Sequence, residues 1–170
     1  VYALLPDRHA DGHKGTYGKI LLLCGSRGYT GAAALAAMGA LRSGAGLVFL
    51  AVPESIYEIE AVKLTEPVIY PLPDSNGTYS ISANSQVLHL IEGKDAVLVG
   101  PGIGQSEGSL AVVQTVLEHY TGPVVLDADE KEVELPGPGE GAAASAQVTT
   151  EYEDRFTSMG KNIHYCRVRF

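Results

Sequence analysis

Three short stretches hold residue types that could bind or turn over an anionic ligand. The first is "HKGTYGKILLLCGSRGYTGAA", His13 to Ala33, an apolar run between two clusters of glycine, cation and hydroxyl. Main-chain amides in "GSRGYTGAA", at the start of a helix, are a ready receptor for phosphate. The segment has neither the Gly-Lys-Ser/Thr ending of a Walker loop nor the dinucleotide fingerprint spacing. A plain strand-to-helix turn accounts for it equally well. His13, Lys14, Gly15 and Thr16, just ahead of the run, are either a second substrate contact or ordinary exposed residues.

The second stretch, "AVLVGPGIG", carries Gly100, Gly102 and Gly104 at alternate positions. Glycines so spaced let the backbone pass close to a bulky group, and a ligand is the expected one. The third, "VVLDAD", sets Asp127 and Asp129 at a strand end, where a carboxylate can hold Mg²⁺-bound water or a ligand hydroxyl. Two loop-initiating aspartates are the alternative. His9 and His13 are four apart in a segment without helical pattern, and His13, His89 and His119 lack ligand spacing, so no direct metal site is expected.

The elements that must position these residues alternate. "KILLLCG" and "LVFLAVP" are continuous apolar runs, as in strands buried on both faces of a parallel sheet. Between them lies an Ala- and Leu-rich helix, with Thr30 as the expected N-cap and Gly44 as the C-cap. "PVIYPLP" reads as an edge strand because of its prolines, and "DSNGTYSIS" as turn chemistry. "SANSQVLHLIEG" reads as a helix starting at Ser82 or Asn84. "DAVLVGPGIG", "GSLAVVQTVLEHY" and "GPVVLDAD" read as strand, helix and strand. The expected fold class is α/β, a three-layer, largely parallel sheet flanked by helices, with ligands at the carboxyl ends of the strands. One domain spans 1–129. Residues 130–170 lose the rhythm and read as a tail of unclear structure, with a low-complexity centre "PGPGEGAAASAQ".

Composition sets limits. The 170 residues carry 45% hydrophobic and 19% charged side chains, which suits a packed core rather than disorder. A net charge of −8 argues against nucleic acid as partner. The two cysteines form no disulfide framework, no apolar run approaches bilayer length, and no signal peptide is evident, so the expectation is a soluble, cytoplasmic protein.

Taken in order, "HKGTYGKILLLCGSRGYTGAA", "LRSGAGLV", "AVPES", "DAVLVGPGIG" and "PVVLDAD" resemble the ADP/ATP-dependent NAD(P)H-hydrate dehydratases, enzymes of ribokinase-like fold. The resemblance runs from about Pro6 to Asp129. It implies a lyase that repairs the S form of hydrated NADH or NADPH at the expense of ADP or ATP with Mg²⁺: the substrate hydroxyl is phosphorylated and phosphate leaves as the double bond forms. It further implies that Ala32, Ala33 and Gly102 line the hydrated-nucleotide site with His13, Lys14, Gly15 and Thr16 beside them. Asp127 would then face phosphates and metal. Association as a homo-oligomer is implied as well.

The family's His-Pro-Gly-Glu turn and Gly-x-Gly-Asp motif, whose Asp is the expected base, do not occur in this sequence. The catalytic residue is therefore unassigned and the activity is expected to be impaired, because phosphoryl transfer rests on such positioned groups. The expectation is a frameshifted, truncated or non-native end, with the exposed sheet edge covered by a partner subunit or a rearranged tail. A small-molecule kinase of the same fold and a non-catalytic nucleotide binder are the alternative functions.

Overall fold

The computed structural model describes residues 11–127, 156–158 and 161–165. The apolar run after Gly18 forms strand β1 (Lys19–Leu23), buried on both faces. Helix α1 (Thr30–Arg42) leads back to β2 (Leu47–Pro53), followed by α2 (Glu54–Lys63) and the edge strand β3 (Val68–Leu72). A small hairpin, β4 (Asp74–Ser75) and β5 (Thr78–Tyr79), turns at Asn76–Gly77, whose φ values of 54° and 85° suit the tight hairpin turn that Asn-Gly favours. Then come α3 (Asn84–Ile91), β6 (Ala96–Val99), α4 (Glu107–His119) and β7 (Val124–Leu126).

The main sheet has the order β3-β2-β1-β6-β7, continued by β9 (Lys161–Tyr165) and β8 (Phe156–Ser158). Every pairing from β3 to β9 is parallel, and only β8 runs antiparallel, against β9. The expected α/β class with a largely parallel sheet is what forms. Alternate residues of β1 divide the core. Leu22 and Cys24 pack with Ala33 and Ala37 of α1 and Ile56 of α2, whereas Leu21 and Leu23 pack with Val87 of α3 and Val112 and Val116 of α4. This gives helix, sheet and helix layers.

The structure differs from expectation at four points. Thr30 is the first helical residue, the N-cap is Tyr29, and no side chain caps the helix. Ser43 is the C-cap, and Gly44 follows it at φ 102°, where glycine escapes the Cβ penalty. Helix α2 has no counterpart among the elements read from the sequence, because it places a carboxylate, Glu60, on its inward face beside Ile56 and so blurs the apolar stripe. Within 130–170, strand β9 pairs with β7 through Val124↔Ile163 and Leu126↔Tyr165, so described residues of the tail continue the sheet.

Glu60 is fully buried. Its Oε1 meets Lys63 Nζ at 3.1 Å and its Oε2 has no partner among the described residues. A buried carboxylate with one satisfied oxygen is a net cost, and an apolar side chain of similar size removes it. Glu60→Met is expected to leave stability unchanged or raise it by about 1 kcal/mol. Lys63→Met strips the buried charge of its cation and should lower stability by about 1 kcal/mol, a modest figure because the lysine is partly solvated. A denaturant midpoint that falls for Lys63→Met and does not fall for Glu60→Met checks this.

Candidate functional site

The strand order reverses between β1 and β6: β1 continues to β2 and β3 on one side, β6 to β7 on the other. At such a switch point the loops leaving two adjacent strands part, and ligands of open α/β sheets bind in the crevice at the carboxyl ends. The loops concerned are Cys24–Tyr29 after β1 and Gly100–Gln105 after β6.

The two loops are tied together by backbone. Gly25 N–H donates to Pro101 O at 2.8 Å and Gly100 N–H to Leu23 O at 3.1 Å, while Ile103 N–H to Gly100 O at 2.8 Å closes the β6 loop on itself. The buried Ser26 hydroxyl donates to Gly102 O at 2.7 Å. A third strand of backbone joins them from the hairpin, where Gly77 O accepts from Arg27 N–H at 2.7 Å.

The alternate glycines face protein. Gly100 abuts the Asp127 backbone at the end of β7. Gly102, at φ 66°, leaves only 2.8 Å between a would-be Cβ and the Cβ atoms of Ala32 and Tyr29. Gly104, at φ 78°, sits 3.2 Å from Thr78 Cγ2 by the same measure. The close approach read from the sequence is real, but within this chain the groups approached are neighbouring loops.

The structure thus brings Ala32 and Gly102 together. Ala33 is not on the surface: it is fully buried, 2.8 Å from a would-be Cβ on Gly25, and belongs to the core under α1. Asp127 is half-buried at the carboxyl end of β7, its N–H donating to Val99 O at 2.9 Å. Asp129 lies outside the described residues.

His13, Lys14, Gly15 and Thr16 are exposed, and Lys14–Tyr17 form a short 3-10 turn ahead of β1. Gly46 packs on the Lys14 carbonyl and donates to Tyr17 O at 3.0 Å. This puts the turn at the amino ends of the strands. The length of β1, about 16 Å at 3.3 Å per residue, separates it from the switch-point loops of the same chain. The motif's local task here is to seat the start of β2.

The first turn of α1 has no capping side chain and no acidic residue. The amides of Gly28, Thr30 and Gly31 have no partner among the described residues, and the space beside Gly28 and Gly31 is open. This end of the cleft suits an anion. Asp127 supplies a single carboxylate, and no group of three metal-ligating side chains occurs among the described residues. One carboxylate with a phosphate ligand fits Mg²⁺ held through water, not a site built wholly of protein.

Cys24 lies beneath these loops, fully buried. Burial, and secondarily the Asp127 carboxylate, push its thiol well above the usual range, so it is packing rather than a nucleophile. Sequence reasoning passed over Tyr79, fully buried, whose hydroxyl reaches the ends of β1 and β2. The "NG" turn signalled the hairpin, but no local signal says where a tyrosine hydroxyl lands 55 residues away.

The sequence profile of NAD(P)H-hydrate dehydratase matches residues 20–132, a span that includes both switch-point loops. The chain belongs to the NAD(P)H-hydrate dehydratase family. It is 41% identical over 126 residues to the bifunctional NAD(P)H-hydrate repair enzyme Nnr of Moorella thermoacetica, covering 74% of this chain and 24% of that one. It is 39% identical over 128 residues to the ADP-dependent (S)-NAD(P)H-hydrate dehydratase of Bacillus subtilis, covering 75% and 43%.

Among solved structures, an ADP/ATP-dependent NAD(P)H-hydrate dehydratase from Bacillus subtilis, co-crystallised with ATP/Mg²⁺, superimposes with a TM-score of 0.60 at 36% identity. It covers 74% of this chain and 42% of that one. A ribokinase-like superfamily protein from Enterococcus faecalis V583 gives a TM-score of 0.62 at 21% identity over 72% and 40%, which shows the ribokinase-like fold. The chain thus spans less than half the length of each of these proteins.

Two glycines of the cleft separate close packing from open space. Gly102→Ala forces a Cβ onto Ala32 and Tyr29 at positive φ and should cost about 1–3 kcal/mol. Gly31→Ala, with nothing within 4 Å and ordinary φ, should be neutral or stabilise by about 0.5–1 kcal/mol. Thermal denaturation of the pair checks the contrast. Cys24 should resist alkylation in the native state and react only on unfolding, followed by mass spectrometry of its peptide.

Proposed function

We propose that this chain forms the hydrated-nucleotide pocket of a nucleotide-repair lyase, one that dehydrates the S form of hydrated NADH or NADPH at the expense of ADP or ATP. The observation that carries the reading is the pairing of Ala32 with Gly102 across the switch-point crevice, beside the free amides at the start of α1. A hydrated dinucleotide presents phosphates and a ring hydroxyl. The amides of Gly28, Thr30 and Gly31 suit a phosphate, and the space beside Gly28 and Gly31 is open.

Gly100 and Gly104 act behind this surface, holding the β6 loop against Asp127 and Thr78. Asp127 would hold Mg²⁺ through water; when bound, ADP or ATP with Mg²⁺ supplies the phosphoryl group. What this chain's residues do is bind and orient the substrate.

A base and an oxyanion receptor of the Gly-x-Gly-Asp kind are not in the sequence, so the reading is of binding with impaired turnover. Cytoplasmic location, where dinucleotides are used, and self-association accompany the proposal. The latter is supported by the apolar side chains that α1 and α2 leave outward, Leu35 and Val62. His13, Lys14, Gly15 and Thr16 would take part only from another copy of the chain.

Equilibrium binding of the S form of hydrated NADH, by calorimetry, is the test. Binding is expected, together with NADH formation in ADP or ATP and Mg²⁺ no faster than the uncatalysed background. Absence of binding would sink the reading, and rapid NADH formation would overturn the separation of binding from turnover.

A further inference from the structure

The β1–β2 ladder loosens where β1 leaves the sheet. Leu23 pairs with Ala51, and the next rung, Cys24 N–H to Ala51 O, is stretched to 3.5 Å as the chain turns toward Pro101. A different donor takes over at that point. The Tyr79 hydroxyl lies 2.8 Å from Ala51 O and 3.0 Å from Cys24 O, sharing its one proton between two carbonyls that the ladder serves poorly.

Tyr79 is 1% exposed, its ring packed in the cluster of Leu21, Val99 and Val112. Phenylalanine would fill that volume equally well. Burying a phenol costs free energy unless its hydroxyl is bonded, so the hydroxyl is there for position rather than for bulk. Burial, and then the neighbouring Cys24, also hold its ionisation well above the usual range, which keeps it a donor.

The same residue anchors what surrounds the cleft. It pairs with Asp74 in the hairpin, and Gly108 in the first turn of α4 packs on its carbonyl. One residue before it, Thr78 contacts the Gly104 position; two before it, Gly77 O receives Arg27 N–H. The hydroxyl end of Tyr79 therefore meets β1 and β2, and its backbone end carries the hairpin that grips both loops.

We infer that Tyr79 is the positioning residue of the cleft: by pinning the β4–β5 hairpin to the carboxyl ends of β1 and β2, it sets the Cys24–Tyr29 loop in the shape that receives the dinucleotide. The ligand part of this inference rests on the proposed function; the positioning part does not.

The matched control is Tyr120, whose hydroxyl also donates to one backbone carbonyl, Lys94 O at 2.9 Å, but at the opposite end of the sheet. Tyr79→Phe and Tyr120→Phe are compared in the full chain. The readouts are calorimetric affinity for the S form of hydrated NADH, hydrogen exchange of the Arg27 amide, and the unfolding midpoint.

Tyr79→Phe should weaken binding about tenfold and speed Arg27 exchange about tenfold, the size of one lost buried hydrogen bond. Tyr120→Phe should change neither, at a similar fall in midpoint. Two variants indistinguishable in both readouts would overturn the inference and leave Tyr79 as core packing. Should the unsubstituted chain not bind hydrated NADH, the proposed function fails and the Arg27 exchange alone decides the positioning role. Should Tyr79→Phe not fold, Gly77→Ala loosens the same link from the hairpin side by running its Cβ into Arg27. Unchanged Arg27 exchange in that variant would likewise overturn the inference.

Discussion

The cleft depends on one constraint, the approach of two loop backbones at the β1/β6 reversal. Hydrogen bonds from Gly25 to Pro101 and from Ser26 to Gly102 hold the loops together, and around that contact a Cβ at Gly25 would meet Ala33, one at Gly100 the Asp127 backbone, and one at Gly102 Ala32 and Tyr29. All three glycines also have positive φ. A side chain there would meet both strain and collision, so the glycines serve the fold before they serve any ligand. The position of α1 follows, because Ala32 and Tyr29 rest on Gly102 and Ala33 rests on Gly25.

From that contact outward, each layer has its reason. β1 is apolar on both faces because helices cover both, and the alternation Leu21, Leu22, Leu23, Cys24 assigns successive residues to opposite cores. α1 has small side chains along most of its length, which lets it lie close enough to the sheet for its free first-turn amides to stand beside the crevice. The hairpin closes the third side. It is held through the Tyr79 hydroxyl below and the Gly77 carbonyl above.

The site divides by end of sheet. At the carboxyl ends lie the amides of the α1 start, Ala32, the glycine loop and Asp127. At the amino ends lie the 3-10 turn of Lys14–Tyr17 and Gly46, joined backbone to backbone. In sequence the Lys14–Tyr17 turn and the start of α1 adjoin, separated only by β1 and the loop after it. A strand is a rod, and residues on either side of it are held apart by its length.

Much of this was legible in the residues themselves. Continuous apolar runs and the turns after them gave the parallel sheet, the prolines of "PVIYPLP" gave its edge, and Asn76–Gly77 gave the hairpin turn, because each rests on local chemistry. The order of motifs pointed to the dehydratase family for the same reason. Tertiary structure decided the rest. It decided which neighbouring groups of the chain Gly100, Gly102 and Gly104 pack against, sent Ala33 into the core, and carried His13–Thr16 to the far end of the sheet. It brought the Tyr79 hydroxyl to Cys24 and Ala51. Periodicity and turn chemistry are written over a few neighbouring residues, whereas which backbone a glycine meets or which carbonyl a hydroxyl finds is set only when strands distant in sequence pair.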